Sequence, residues 1–146
     1  MPLMAYQDFN AFKLFTLDVG LLSALSELDI KSILDGNKVF EEFKGALTEQ
    51  YVLQQLITNK DITPFYWTAE KSNGEIDFIF QSGRDIVPLE VKAAENLQAK
   101  SLKSYCLRYD PKYAIRTSMS DYRKEDWLTN LPLYAINNIL NIIHGE

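Results

Sequence analysis

The spacing of apolar positions changes several times along the chain, and each change predicts an element. Residues 13–19, Lys-Leu-Phe-Thr-Leu-Asp-Val, are rich in apolar and β-branched side chains and predict a short strand or extended piece. After Gly20, Leu21, Leu22, Leu25 and Leu28 recur at helical spacing, and Asp35-Gly36-Asn37 is a turn signal. Residues 41–58 predict a longer helix with an apolar stripe of Phe43, Ala46, Leu47, Leu53 and Ile57, and with Glu49 beside it. Phe65 to Thr68 is strand-like, and Lys71-Ser72-Asn73-Gly74 is a turn.

Two alternating segments follow. In 75–80, Ile76, Phe78 and Phe80 fall on one face, and Glu75, Asp77 and Ile79 on the other. In 86–92, Val87, Leu89 and Val91 share one face, and Ile86, Pro88, Glu90 and Lys92 the other. The connection from Gln81 to Asp85 has hairpin length. Residues 97–109 predict a helix that Pro111 ends, Tyr113 to Thr117 a further strand, and 131–143 an apolar tail. The order of helix, strands, helix and strand predicts an α/β fold with a central mixed sheet flanked by helices.

The chain has 146 residues, 47% of them hydrophobic, and no linker-like tract divides it, so one domain over 1–146 is expected. Cys106 is the only cysteine and reads as a small hydrophobe; no internal disulfide can form. Neither a leader pattern nor an apolar run of about 18 residues is visible, which predicts a cytoplasmic protein with no membrane partner.

The net charge of −5 weighs against a polyanionic partner, but the charge is uneven. Residues 1–91 carry 7 basic and 14 acidic side chains, whereas residues 92–124 carry 8 basic and 3 acidic ones. A basic stretch just after the alternating segments could attract a polyanion, or it could be an ordinary solvated helix face.

The chemistry-bearing residues lie in those segments. Glu90 and Lys92 are two apart in a strand and so share a face. A hairpin would bring Asp77 towards Glu90 across the ladder. Phosphodiester hydrolysis needs a hard cation held by a few oxygen ligands, a positioned water, and positive charge against the phosphate. Asp77, Glu90 and the Val91 carbonyl would hold Mg²⁺ or Mn²⁺. Lys92 would assist the water, Glu49 would support the metal sphere, and Glu75 could assist from Asp77's face. A Glu-x-Lys pair on a solvated strand face is also a common surface pattern.

Gly74-Glu75-Ile76-Asp77-Phe78-Ile79, followed by Val87-Pro88-Leu89-Glu90-Val91-Lys92-Ala93, resembles the core motif of the PD-(D/E)xK nucleases, with Ile76 where the family name has proline. The resemblance implies a restriction-endonuclease-like core, with Glu49 as the extra acid on the first core helix. It also implies Lys100, Ser101 and Lys103 as substrate-facing residues on the helix after the motif. Three segments, Ala11–Leu22, Lys44–Val52 and Asp126–Tyr134, resemble the C-terminal domain of unknown function of bacterial and archaeal AAA-type ATPases. No G-x-x-x-x-G-K-[ST] occurs, so the ATPase module itself is expected elsewhere in a longer protein.

The expectation is therefore a Mg²⁺- or Mn²⁺-dependent nuclease-like domain acting on DNA and attached to an ATPase domain. The alternative is a regulatory module that binds nucleic acid or a partner without turnover. His144, the only histidine, has no second ligand for a His-based metal site. Trp67 and Trp127 read as core or rim aromatics. Tyr105, Tyr109 and Tyr113 could pack in the core or stack on bases.

Overall fold

The computed structural model describes residues 2–27, 38–69, 74–93 and 98–145. Leu28 and the turns expected at 35–37 and 71–73 lie outside the described residues.

After a 3-10 turn at Leu3–Tyr6, the chain runs to α1 (Val19–Leu25), where the Asp18 carboxylate accepts the Leu21 N–H at 2.7 Å and caps the helix. The segment before α1, expected as a short strand or extended piece, is an extended strap outside the sheet. Its polar backbone is met by two glutamines of the long helix α2 (Lys38–Ile57). Gln50 Oε1 accepts the Thr16 N–H at 2.9 Å, and Gln50 Nε2 donates to the Thr16 carbonyl at 3.0 Å. Gln54 accepts the Val19 N–H at 3.0 Å. A side-chain amide thus supplies both the donor and the acceptor of a strand neighbour.

The buried face of α2 is not the expected stripe. Gln50, Val52 and Leu56 are buried, whereas Ala46 and Ile57 face solvent. The strap covers the helix at Gln50, which moves the buried face round from Ala46.

Then come β1 (Phe65–Thr68), β2 (Glu75–Ser82), β3 (Asp85–Val91), α3 (Lys100–Tyr109), β4 (Ile115–Ser118), β5 (Arg123–Lys124), β6 (Thr129–Pro132), a 3-10 segment (Leu133–Asn138) and α4 (Ile139–His144). Among the described residues the strands form one mixed sheet in the order β1-β2-β3-β4-β6-β5. The β3-β4 and β4-β6 pairs are parallel and the others antiparallel. The four-residue β1 and the two-residue β5 are its edges. The β2–β3 hairpin turns through two residues, shorter than expected, with Gly83 at φ 62° in the first loop position.

The sheet separates two cores. On one side α2, the 3-10 segment and α4 cover Phe78, Phe80, Val87, Leu89, Val91, Ile115 and Leu131. On the other, Leu102 and Tyr105 of α3 pack with Ile76, Ile79, Ala114 and Leu128. This is a three-layer α/β arrangement.

The β3 alternation holds as expected. The β2 alternation does not, because Phe65 pairs with Ile79 while Trp67 pairs with Ile76, so β2 spends one extra residue against β1. That bulge moves Ile76 to the same face as Ile79.

Phe80 is fully buried in the larger core. Phe80→Ala is expected to lower unfolding stability by about 3–5 kcal/mol, measured by urea denaturation.

Candidate functional site

The bulge decides how the site is built. It falls at Asp77 and Phe78, opposite Tyr66. Asp77 therefore lines a cavity of about 150 Å³ together with Lys13, Phe15, Leu53, Tyr66 and Phe78. The β2–β3 ladder ends at the pair Phe78 and Leu89, next to the bulge, while on its other edge β3 pairs with β4 through Leu89, Glu90 and Val91. Just past that end the Asp77 Oδ2 accepts the Val91 N–H at 2.7 Å.

Glu90 points away from the α2-side core. Its strand neighbours Leu89 and Val91 belong to the α2-side core, and its register partner is Arg116. The β2–β3 ladder stops one residue short of an Asp77–Glu90 pair, and the charge of Glu90 still acts on Asp77. Glu90 is 5% exposed. Its Oε1 lies 2.5 Å from Lys92 Nζ, and its Oε2 is buried with no hydrogen-bond partner among the described residues. Glu49 of α2 reaches the same place: Lys13 Nζ is 3.5 Å from its Oε2 and pairs with Glu75 as well.

The electrostatics are crowded. Burial pushes the Asp77 carboxyl up to about 7, and the charges of Glu49 and Glu90 push the same way; the Val91 N–H and Lys13 oppose them. Burial acts against the charge on Lys13, but the hydrogen bond to Glu75 and the fields of Glu49, Glu75 and Asp77 outweigh it and hold the ammonium above the ordinary lysine range.

The structure thus gathers Asp77, Glu90, Lys92, Val91, Glu49 and Glu75. Lys100 and Lys103 are exposed and Ser101 half-buried on the first turn of α3. No hydrogen bond or ion pair among the described residues ties these three to the carboxylates.

Two components were missed by the sequence reading. Lys13 belonged there only to an apolar run. The second is a buried polar row beside Glu90 on β4 and β6. Arg116, 3% exposed, donates through Nε to Asn130 Oδ1 at 2.9 Å. Ser118 Oγ donates to the same oxygen at 2.9 Å, and Asn130 Nδ2 donates to the Ser120 and Asp121 carbonyls. Glu125 lies 3.7 Å from Arg116 and 2.7 Å from Arg123. The signal in the sequence was one Arg and one Asn placed inside apolar strands.

The basic stretch after the motif is not one charged face. Arg116 is buried, Lys92 pairs with Glu90, Arg123 with Glu125, and Lys112 with Asp85 at 3.7 Å.

Other candidates take structural places. Trp67 packs edge-on against Tyr105 at 5.1 Å and Tyr109 at 5.9 Å. Trp127 sits at the rim, Tyr113 is half-buried against the α2-side core, and Cys106 is half-buried against the α3-side core. His144 Nε2 lies 3.0 Å from Ser82 Oγ. A larger cavity of about 430 Å³, lined mainly by Lys44, Leu47, Tyr51, Met119 and Tyr134, lies beyond the carboxyl ends of β4 and β6 and has no carboxylate among its described lining residues. No described helix is long and apolar enough to cross a membrane.

The model of the family described as Domain of unknown function (DUF4143) matches residues 44–136, well over half of the chain. The chain belongs to the DUF4143 family. The matched part of this DUF4143 domain runs from α2 to the 3-10 segment and includes Glu49, Asp77, Glu90, Lys92, Arg116 and Asn130. No curated protein and no solved structure gives a significant match.

Two outcomes follow from this geometry. A carboxyl raised from 3.8 to about 7 in the fold binds a proton that the unfolded chain has released, so its contribution to stability falls as pH rises between those values and is constant above. Asp77→Asn is therefore expected to gain stability relative to the wild type across that window, by on the order of 4 kcal/mol, in denaturation curves measured at several pH values. Asn130→Ala removes the acceptor of the buried Arg116 Nε and of the Ser118 hydroxyl, and is expected to cost on the order of 2–3 kcal/mol in the same measurement.

Proposed function

We propose that this DUF4143 domain is a metal-dependent nuclease-like domain of the PD-(D/E)xK type, hydrolysing phosphodiester bonds in DNA and attached to an AAA-type ATPase. The observation that carries the reading is the state of Glu90: buried, held through one oxygen by Lys92, with its other oxygen unpartnered among the described residues, and acting on an Asp77 that burial, with Glu49 and Glu90, drives towards protonation. Orphaned carboxylate oxygen and crowded negative charge are both relieved by one bound cation.

The donor set suits Mg²⁺ or Mn²⁺, since it consists of oxygens only: Asp77, Glu90 and the Val91 carbonyl. Among the described residues no three His, Cys, Asp or Glu side chains form a metal-holding group. Mg²⁺ needs only one or two carboxylates because it keeps several of its waters. When bound, such an ion would neutralise phosphate charge and acidify a coordinated water.

The chain's own residues have separate tasks. The Val91 N–H fixes the direction of Asp77. Lys92, anchored on Glu90, presents an ammonium to the water or to the charge that builds on phosphorus. Glu49 orients waters from the α2 side. Lys100, Ser101 and Lys103 on α3 supply the polar surface for the nucleic acid backbone.

The second reading is a binding module without turnover, joined to the same ATPase. It is favoured by the internal partner each acid already has: Lys13 for Glu49 and Glu75, Val91 for Asp77, and Lys92 for Glu90. Calorimetric titration of Mn²⁺ separates the two. The nuclease reading expects binding to the wild type, none to Asp77→Ala, and metal-dependent DNA cleavage that falls to background in Asp77→Asn. Cleavage that survives in purified Asp77→Asn overturns it. No Mn²⁺ binding to any variant leaves the binding module.

A further inference from the structure

Lys13 is the one cation of the strap that enters the carboxylate cluster. Its ammonium pairs with Glu75, lies 3.5 Å from Glu49 and acts on Asp77, and it stands 5.5 Å from the centre of the Tyr66 ring. Lys13 and Asp77 line the same small cavity. Two of the acids whose charge Lys13 offsets, Asp77 and Glu49, are those assigned above to the metal and its waters. Independently, Glu90, whose charge acts on Asp77, has a buried carboxylate oxygen, Oε2, with no hydrogen-bond partner among the described residues.

The strap holds Lys13 through a small set of contacts. Gln50 and Gln54 bind its backbone at Thr16 and Val19, and Phe15 packs against Phe78 at 6.0 Å between ring centres. On either side of Lys13 the strap is open, with Phe12 and Leu14 largely exposed. A side chain on such a strap can leave the cluster without disturbing the sheet behind it.

We propose that Lys13 is a tethered counter-ion whose charge stands beside Asp77 in place of a divalent ion, so that an ion binding at Asp77 must displace it. The proposal rests on the metal-site reading above. A single positive charge on a tether offsets part of the carboxylate repulsion, and a dipositive ion offsets more of it. Removing the tethered charge therefore strengthens metal binding, which is the reverse of what a ligand or a phosphate-contacting lysine would do.

The test is calorimetric titration of Mn²⁺ into the full chain as wild type, Lys13→Met, Lys13→Arg and Lys13→Met combined with Asp77→Asn, with circular dichroism to verify folding. Lys13→Met is expected to bind Mn²⁺ at least about tenfold more tightly than the wild type. Lys13→Arg, which keeps the charge, is expected to stay near the wild-type affinity, and the double variant to lose binding. Mn²⁺ is also expected to raise the melting temperature of Lys13→Met more than that of the wild type. Should Lys13→Met fail to fold without metal, recovery of the fold on adding Mn²⁺ supports the proposal, and its absence overturns it. Unchanged or weaker affinity in Lys13→Met, with wild-type binding still dependent on Asp77, overturns the counter-ion role alone. Absence of Mn²⁺ binding in every protein overturns the metal site together with it.

Discussion

The hydrogen bond from the Val91 N–H to Asp77 Oδ2 is the constraint on which the site depends. It stands just past the end of the β2–β3 ladder at Phe78 and Leu89, a place where a main-chain donor on that edge of β3 would otherwise lose its ladder partner. A carboxylate fills that gap at the cost of being buried beside Glu49 and Glu90. The bulge in β2 is the local device that makes it geometrically feasible, since the extra residue releases Asp77 from strict alternation. One backbone irregularity therefore supplies both a structural bond and a destabilised acid.

The polar row behind Glu90 complements this arrangement. Asn130 gathers Arg116, Ser118 and two loop carbonyls around one amide, so β4 and β6 are tied by side chains as well as by their ladder. With Arg116 held by Asn130 and faced by Glu125, its charge is fixed in place one strand from Glu90. Such a network keeps its geometry only while all its members are satisfied. It connects the carboxylate side of the sheet to the loop that carries Glu125 and to the edge strand β5.

Much of this could be read from residues alone, for reasons that differ by element. The β2–β3 hairpin and β3's faces were legible because Val87, Leu89 and Val91 alternate strictly with polar or proline positions. The α2 and α3 helices were legible from their periodicity, although the buried face of α2 was not. That face depends on Gln50, a polar residue that is buried only because the strap supplies its partners. The strap itself imitates a strand in composition, and only the absence of a neighbouring strand reveals the difference. The bulge at Asp77 leaves no mark in a pattern of period two. β5 and β6 are two and four residues long and include Asn130, so their signal is too short to separate from loop. Glu90, Lys92 and Asp77 stood out as a motif. Glu49 stood out through resemblance, Arg116 left only the mark of a charge inside a strand, and Lys13 shows only through its position in space.

The margins of the sheet carry a further consequence. One edge is four residues long and borders a register slip; the other is a two-residue strand made of Arg123 and Lys124. Neither offers a straight row of free amides and carbonyls long enough to template another chain. Growth of the sheet by strand addition is thereby discouraged at both ends, and recognition between this domain and other macromolecules falls to side chains on its helical layers, its strap and the loops at the strand ends.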